Sequence, residues 1–375
     1  MNDKKGTNAM QRRRRSMMWS FALIVVLAML LPSLGYVMAQ SGGQGGQQQQ
    51  QQQLRQQQGF GPQGATNPRS EMWRGAREGQ AGFTTQTGPY VTNTMISNVG
   101  ENWRQFRMGP LITYGGWFLL GALALVAVVF AVLGRIKLAH GRAGMTIERW
   151  RPFERYLHWF TAITFILLAI TGLSLLFGRS VLIPLLGHQG FAAYAQIAKL
   201  VHNYVGPAFS VAVLLMILMW VRHNIPRKVD LAWFKAGGGI FGKEHPSAGK
   251  FNGGEKVWFW VGIVLFGIAV SVSGFLLNFP LFGQTRGTMA LSQAVHAITS
   301  IVWIGFFFGH AYIGTLGTEG ALEGMTTGRV DVSWAKQHHD LWYQEELAKG
   351  VQPKPAEDAA ARPAAPMGSV GQPSH

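Results

Sequence analysis

Val295-His-Ala-Ile-Thr-Ser-Ile-Val-Trp-Ile-Gly-Phe-Phe-Phe-Gly-His-Ala-Tyr-Ile-Gly-Thr-Leu316 decides how this chain is read. It is an apolar run long enough to cross a lipid bilayer as a helix, which needs about 20 residues. It carries two histidines, His296 and His310. At about 1.5 Å rise and 100° per residue, fourteen steps separate them by roughly 21 Å and return within about 40° of one face. One helix therefore offers an imidazole near each face of the membrane.

Working outward, four more apolar spans precede it, at about Leu111–Leu133, Leu157–Phe177, His202–Val221 and Val257–Phe279. The expected fold is an all-α membrane protein with five crossings. Hydrophobic residues make up 48% of the 375-residue chain and charged ones only 13%, which argues against a soluble enzyme. The net charge of +16 is compatible with nucleic-acid binding, but the basic residues cluster beside the spans. That pattern fits control of topology, and no nucleic-acid partner is expected. Cysteine is absent, which excludes iron–sulfur clusters, covalent haem attachment and thiol chemistry within this chain.

The first 39 residues have the three parts of a secretory signal: Arg12 to Arg15, an apolar core from Phe21 to Leu31, and Val37-Met38-Ala39 before Gln40. An uncleaved anchor helix also fits. Residues 40–110, opening with a Gln/Gly tract, read as a disordered periplasmic segment, 111–134 as a transmembrane helix, and 347–375 as a disordered cytoplasmic tail. The loop from Arg135 to Arg155 holds six basic residues and that from Arg222 to Lys256 seven, against two in Gly178–Lys199 and one in Pro280–Ser292. The rich loops should be cytoplasmic, with the mature N-terminus outside and the C-terminus inside a bacterial inner membrane.

This topology sorts the histidines. His158 opens a span running outwards and His202 one running inwards, so the level pairs are His202 with His296, outside, and His158 with His310, inside. Neutral imidazole is an axial ligand for haem iron, and ionisable groups within a membrane mark function. Two b haems, each held by a pair, are the expected cofactors. For any single histidine, a hydrogen bond between helices is an equally good account, and a proton relay or metal-ion site also fits. Gly172, Gly206, Gly274 and Gly305 suit either a macrocycle or close helix packing. The remaining histidines, His338 and His339 among them, read as surface residues, with His223 at a membrane edge. Trp117, Trp150, Trp159, Trp220, Trp258 and Trp260 read as interfacial belt residues, and Trp159 also suits stacking on haem or quinone.

The segments Arg155-Tyr-Leu-His158-Trp159, His202 with Val205-Gly206, His223-Asn-Ile-Pro226, Gly249-Lys-Phe-Asn-Gly-Gly-Glu-Lys256 and Trp334-Ala-Lys-Gln-His-His-Asp-Leu-Trp-Tyr343 carry a resemblance. Over about Ile147 to Glu346 the chain resembles the gamma subunit of membrane-bound formate dehydrogenase, a di-haem cytochrome b. The resemblance implies a four-helix cytochrome b domain at 147–346, the span at 111–134 being extra. It implies an iron–sulfur beta subunit and a molybdenum or tungsten alpha subunit as partners. Electrons would pass from formate outside, through the outer and inner haems, to ubiquinone or menaquinone near the cytoplasmic face. The resemblance assigns His202 and His296 to the outer haem, His158 and His310 to the inner one, and Asn252 and Gly254 to the quinone. A plain turn also accounts for Asn-Gly-Gly. The cytochrome subunit of a membrane hydrogenase or other molybdoenzyme is an alternative, and a transporter or proton channel is one from another class.

Overall fold

The computed structural model describes residues 98–239 and 246–356. The expected signal sequence, the Gln-rich tract and the far C-terminal tail lie outside them. Helices dominate, and four are long and apolar enough to cross a membrane: Asn102–Leu133, Pro152–His223, Gly253–Asn278 and Arg286–Gly317.

α1 (Asn98–Phe106) runs through a π-helical turn at Arg107–Leu111, which holds Pro110, into α2 (Ile112–Leu133). Residues 98–110, which the sequence places in a disordered segment, are helical. Their sequence is too polar to read as part of a span, and the helix continues from the apolar α2. α2 presents Leu125 (63% exposed) and Val132 (75% exposed) outwards, as a lipid-facing helix must.

α3 (Pro152–Trp220) contains both the second and third expected spans. The intervening 178–199, expected as a loop, is helical as well. The break falls at Gly187, where φ 70° and ψ 172° interrupt the helix. Only glycine reaches that region without a Cβ clash. The two arms turn back on each other: Tyr194 Oη donates to Ser174 Oγ at 2.8 Å, and Thr171 Oγ1 lies 2.9 Å from His202 Nδ1.

β1 (Met145–Glu148) precedes α3. α4 (Lys228–Lys235) and α5 (Gly253–Val257) follow it. A π-helical stretch, Trp258–Phe266, leads into α6 (Gly267–Asn278). α7 (Arg286–Tyr312) holds both His296 and His310 and starts six residues before the expected boundary of its loop. α8 (Ala321–Thr326), β2 (Arg329–Asp331), α9 (Val332–His338), α10 (Asp340–Ala348) and β3 (Lys354–Pro355) complete the chain.

Two compact units are built from these elements. Of the described residues, the first takes in 98–126, 157–219 and 260–308; the second comprises 127–156, 220–239, 246–259 and 309–356. In the first, Gly115 faces Ile301, and Gly305 faces Phe118 and Ala122, so α2 and α7 approach closely through glycines. Phe165, Phe209 and Trp303 form an aromatic cluster, with ring centroids 5.0 to 6.1 Å apart.

The second unit adds what an all-α expectation lacked, a three-stranded antiparallel sheet in the order β2-β1-β3. Ile147 pairs with Val330 and Thr146 with Lys354. The expected C-terminal tail at 347–375 therefore holds the last two residues of α10 and β3. Such short strands carry no alternating pattern long enough to read. Ile147, Val330, Trp334, Trp342 and Tyr343 form this unit's core.

Candidate functional site

The first unit encloses a cavity of about 590 Å³, lined by Phe165, Gly172, His202, Gly206, Gly274 and His296 among others. That volume is in the range of cofactor pockets. His202 and His296 face each other across it, with ring centroids 6.1 Å apart and planes at 73°. A first-row metal binds imidazole nitrogen at about 2 Å, so an iron held axially by two histidines places their centroids roughly 6 Å apart. The separation fits haem.

The outward nitrogens of both rings are already engaged. His202 Nδ1 pairs with Thr171 Oγ1 at 2.9 Å; His296 Nδ1 meets Ser273 Oγ and the Val270 carbonyl, both at 3.1 Å. Each hydroxyl precedes a glycine. A Cβ added at Gly172 would lie 3.2 Å from His202 Cε1, and one at Gly274 would lie 3.2 Å from His296 Cε1. Thr171-Gly172 and Ser273-Gly274 thus do the same work on opposite sides. The hydroxyl orients the ring and leaves Nε2 for a metal, and the glycine lets the ring lie against the backbone. No cluster of three or more His, Asp or Glu able to hold a bare metal ion occurs among the described residues.

His158 and His310 belong to different units. His158 is half-buried, with its ring edge-on to Trp159 at 5.3 Å. His310 stacks on Trp258, the centroids 4.5 Å apart and the planes 5° from parallel.

The second unit positions the loop bearing Asn252 and Gly254. Asn252 is the N-cap of α5: its Oδ1 accepts from Glu255 N at 2.9 Å, and its own N–H donates to Glu255 Oε2 at 2.8 Å. The turn account of Asn-Gly-Gly is therefore realised locally. Gly254 makes room for Trp233, whose ring would lie 2.9 Å from an added Cβ.

Arg149 anchors this loop. It is buried, donates to the Lys250 carbonyl at 2.9 Å, and lies within 4.9 to 5.2 Å of the Trp334, Trp342 and Trp150 ring centroids. Burial pulls its pKa down to about 10, opposed by the negative Glu255 and Glu154.

His339, expected on the surface, is only 1% exposed. Its Nδ1–H donates to the Gly249 carbonyl at 2.8 Å and its Nε2 accepts from Arg149 at 3.1 Å, a tautomer fixed by the two partners. Burial first, then the Arg149 charge, hold its pKa well below the ordinary histidine value. Asp340 accepts from Ser247 Oγ at 2.7 Å and from Ala248 N at 2.9 Å. His339 and Asp340 thus clamp the 247–250 segment. Trp150 and Trp220 are also buried, packed edge to face at 5.6 Å, so neither is a belt residue. The signal for His339 and Asp340 was their place in the Trp334–Tyr343 segment; nothing in local hydropathy gave it.

A bundle of membrane-length apolar helices with two opposed histidines lining a cavity is the class of protein this geometry defines. Residues 149–328, which include all four histidines, match the family model described as prokaryotic cytochrome b561. The cytochrome b556(Fdn) subunit of nitrate-inducible formate dehydrogenase from Escherichia coli K12 is 32% identical over 204 residues, 53% of this chain and 91% of that protein. The b556(fdo) subunit of the same strain is 31% identical over 204 residues, covering 53% and 93%. The cytochrome b556 subunit of a formate dehydrogenase from Haemophilus influenzae is 30% identical over 207 residues, covering 54% and 84%. The chain belongs to the formate dehydrogenase cytochrome b556 subunit family. α1 and α2 precede the residues the family model matches.

Proposed function

We propose that this chain carries electrons across the inner membrane for a formate dehydrogenase, from an iron–sulfur subunit outside to quinone near the cytoplasmic face. Two b haems are its cofactors, with His202 and His296 holding the outer one and His158 and His310 the inner one. Formate oxidation belongs to a molybdenum- or tungsten-containing partner subunit. The observation that carries the reading is the 6.1 Å separation of His202 and His296, each ring fixed through Nδ1.

Haem iron, when bound, supplies reversible one-electron chemistry. The chain's own residues do the rest. Thr171, Ser273 and the Val270 carbonyl keep Nε2 of each outer histidine unprotonated and aimed inwards. Trp258 holds the His310 ring flat by stacking. Asn252 and Gly254 form the quinone contact: the cap uses Asn252 Oδ1, and its Nδ2 is the group suited to donate to a quinone carbonyl. Arg149, His339 and Asp340 fix the approach of that loop.

The reading predicts that affinity purification through this chain brings down a large molybdenum or tungsten subunit and an iron–sulfur subunit. Formate should then reduce haem b in the isolated complex. A pure chain with haem but with partners of another chemistry, such as a nickel hydrogenase, would overturn the formate assignment and leave the cytochrome.

A further inference from the structure

The helix that precedes the family-matched residues reaches into the cavity described above. Trp103 and Arg107, four residues apart on one face, both line it, as does Lys199. Arg107 Nη2 donates to the Leu175 carbonyl at 3.2 Å, which ties the π-helical turn after α1 to the first arm of α3.

The level of these cations follows from the two arms. Leu175 lies three residues beyond Gly172 towards the Gly187 turn, and Lys199 lies three residues before His202, on the same side of the ligand. Each is therefore about 4.5 Å, less than one turn, towards the Gly187 end of the His202 plane. This first unit has Glu101 as its single carboxylate among the described residues, since 157–219 and 260–308 contain no Asp or Glu. Within those residues neither Arg107 nor Lys199 has an ion-pair partner, while ion pairs elsewhere engage Arg142, Arg149, Lys250 and Lys256. Two cations at the edge of a membrane cavity without a protein counter-charge call for a ligand that brings its own.

We infer that Arg107, with Lys199, binds the carboxylate side chains of the haem held by His202 and His296, so that the N-terminal helix is part of that cofactor's pocket. This rests on the haem reading above. Arg107 keeps one donor on Leu175 and turns the rest of its guanidinium fork to a carboxylate, the geometry that favours arginine over lysine. A cation at this edge also favours the reduced, more negative state of the iron.

Redox titration of haem absorbance in the purified holo-complex tests it. The component lost in H202A should move to a lower midpoint in R107Q and be retained less well, with occupancy falling towards half of the total haem. R107K should restore most of that occupancy, and K199Q should give a smaller downward shift. The other component should not move. Unchanged midpoint and occupancy of this component in R107Q overturn the inference, as does a purely structural loss, in which yield falls but the surviving haem titrates as in the parent. If R107Q does not assemble, an unshifted midpoint in K199Q overturns it equally. Failure of the haem reading looks different: H202A and H296A would then remove no haem, whatever Arg107 does.

Discussion

The hydroxyl–glycine pairs beside His202 and His296 set how tightly each imidazole is aimed, and their loss should be felt at the iron. Thr171→Val and Ser273→Ala keep the volume approximately and delete the Nδ1 partner, and should weaken haem retention by about 10- to 100-fold. Haem-dissociation rates in detergent would measure it, and unchanged rates in both variants would show the hydroxyls to be idle. Asn252 separates two roles in one residue. Asn252→Asp keeps an N-cap, whereas Asn252→Ala costs about 1 kcal/mol of helix stability. If the amide meets quinone, N252D should lose quinone reduction while its melting temperature stays near the parent value. His339 gives a pH dependence. Its folded pKa lies below that of the unfolded chain, so the unfolded state takes up the proton first as pH falls through about 6.5. Stability should therefore decline below that pH, by up to about 1.4 kcal/mol per unit, and His339→Gln should flatten the slope. Melts of the detergent-solubilised complex at pH 7.5 and 5.5 would check it. At this scale the four ligand candidates were legible because histidine in an apolar run is rare. His339 and Arg149 were not, because a polar segment gives no sign that three tryptophans will bury it.

Among the elements, α3 departs most from what hydropathy suggested. The residues between its two apolar stretches are moderately apolar, and the helix runs on through them until Gly187. Pro184 and Pro207 do not end it. Gly187→Val should cost about 1–3 kcal/mol, because ψ near 172° at positive φ is closed to a β-branched residue. Limited proteolysis of the turn, or reduced assembly yield, would report it; parent-like yield and melting would mean the turn tolerates a Cβ. Gly305 belongs to the packing of α2. A side chain there collides with Phe118, so Gly305→Leu should detach the N-terminal helix, measured as lost cysteine cross-linking between introduced pairs on α2 and α7. The long spans were readable from composition. The sheet β2-β1-β3 was not, because its strands are two to four residues long and pair across 180 residues or more of sequence.

For the molecule as a whole, basic loops and apolar spans said membrane, and the motifs named the family. What stayed hidden was the use of α1 and the turn after it, whose polar sequence looked like a tail and whose Trp103 and Arg107 line a cavity. Neither hydropathy nor family likeness reaches a contact made by residues outside the matched region. The account depends most on one arrangement, the paired imidazoles of His202 and His296 on a single iron. The direct measurement is the dithionite-reduced minus oxidised haem b spectrum, per mole of purified chain, for the parent, H202A, H296A and the double variant. Two haems in the parent, with about half the signal lost in each single variant and no further loss in the double, is the predicted result. Additive losses, or full haem content in either single variant, would place these histidines on different sites or on none.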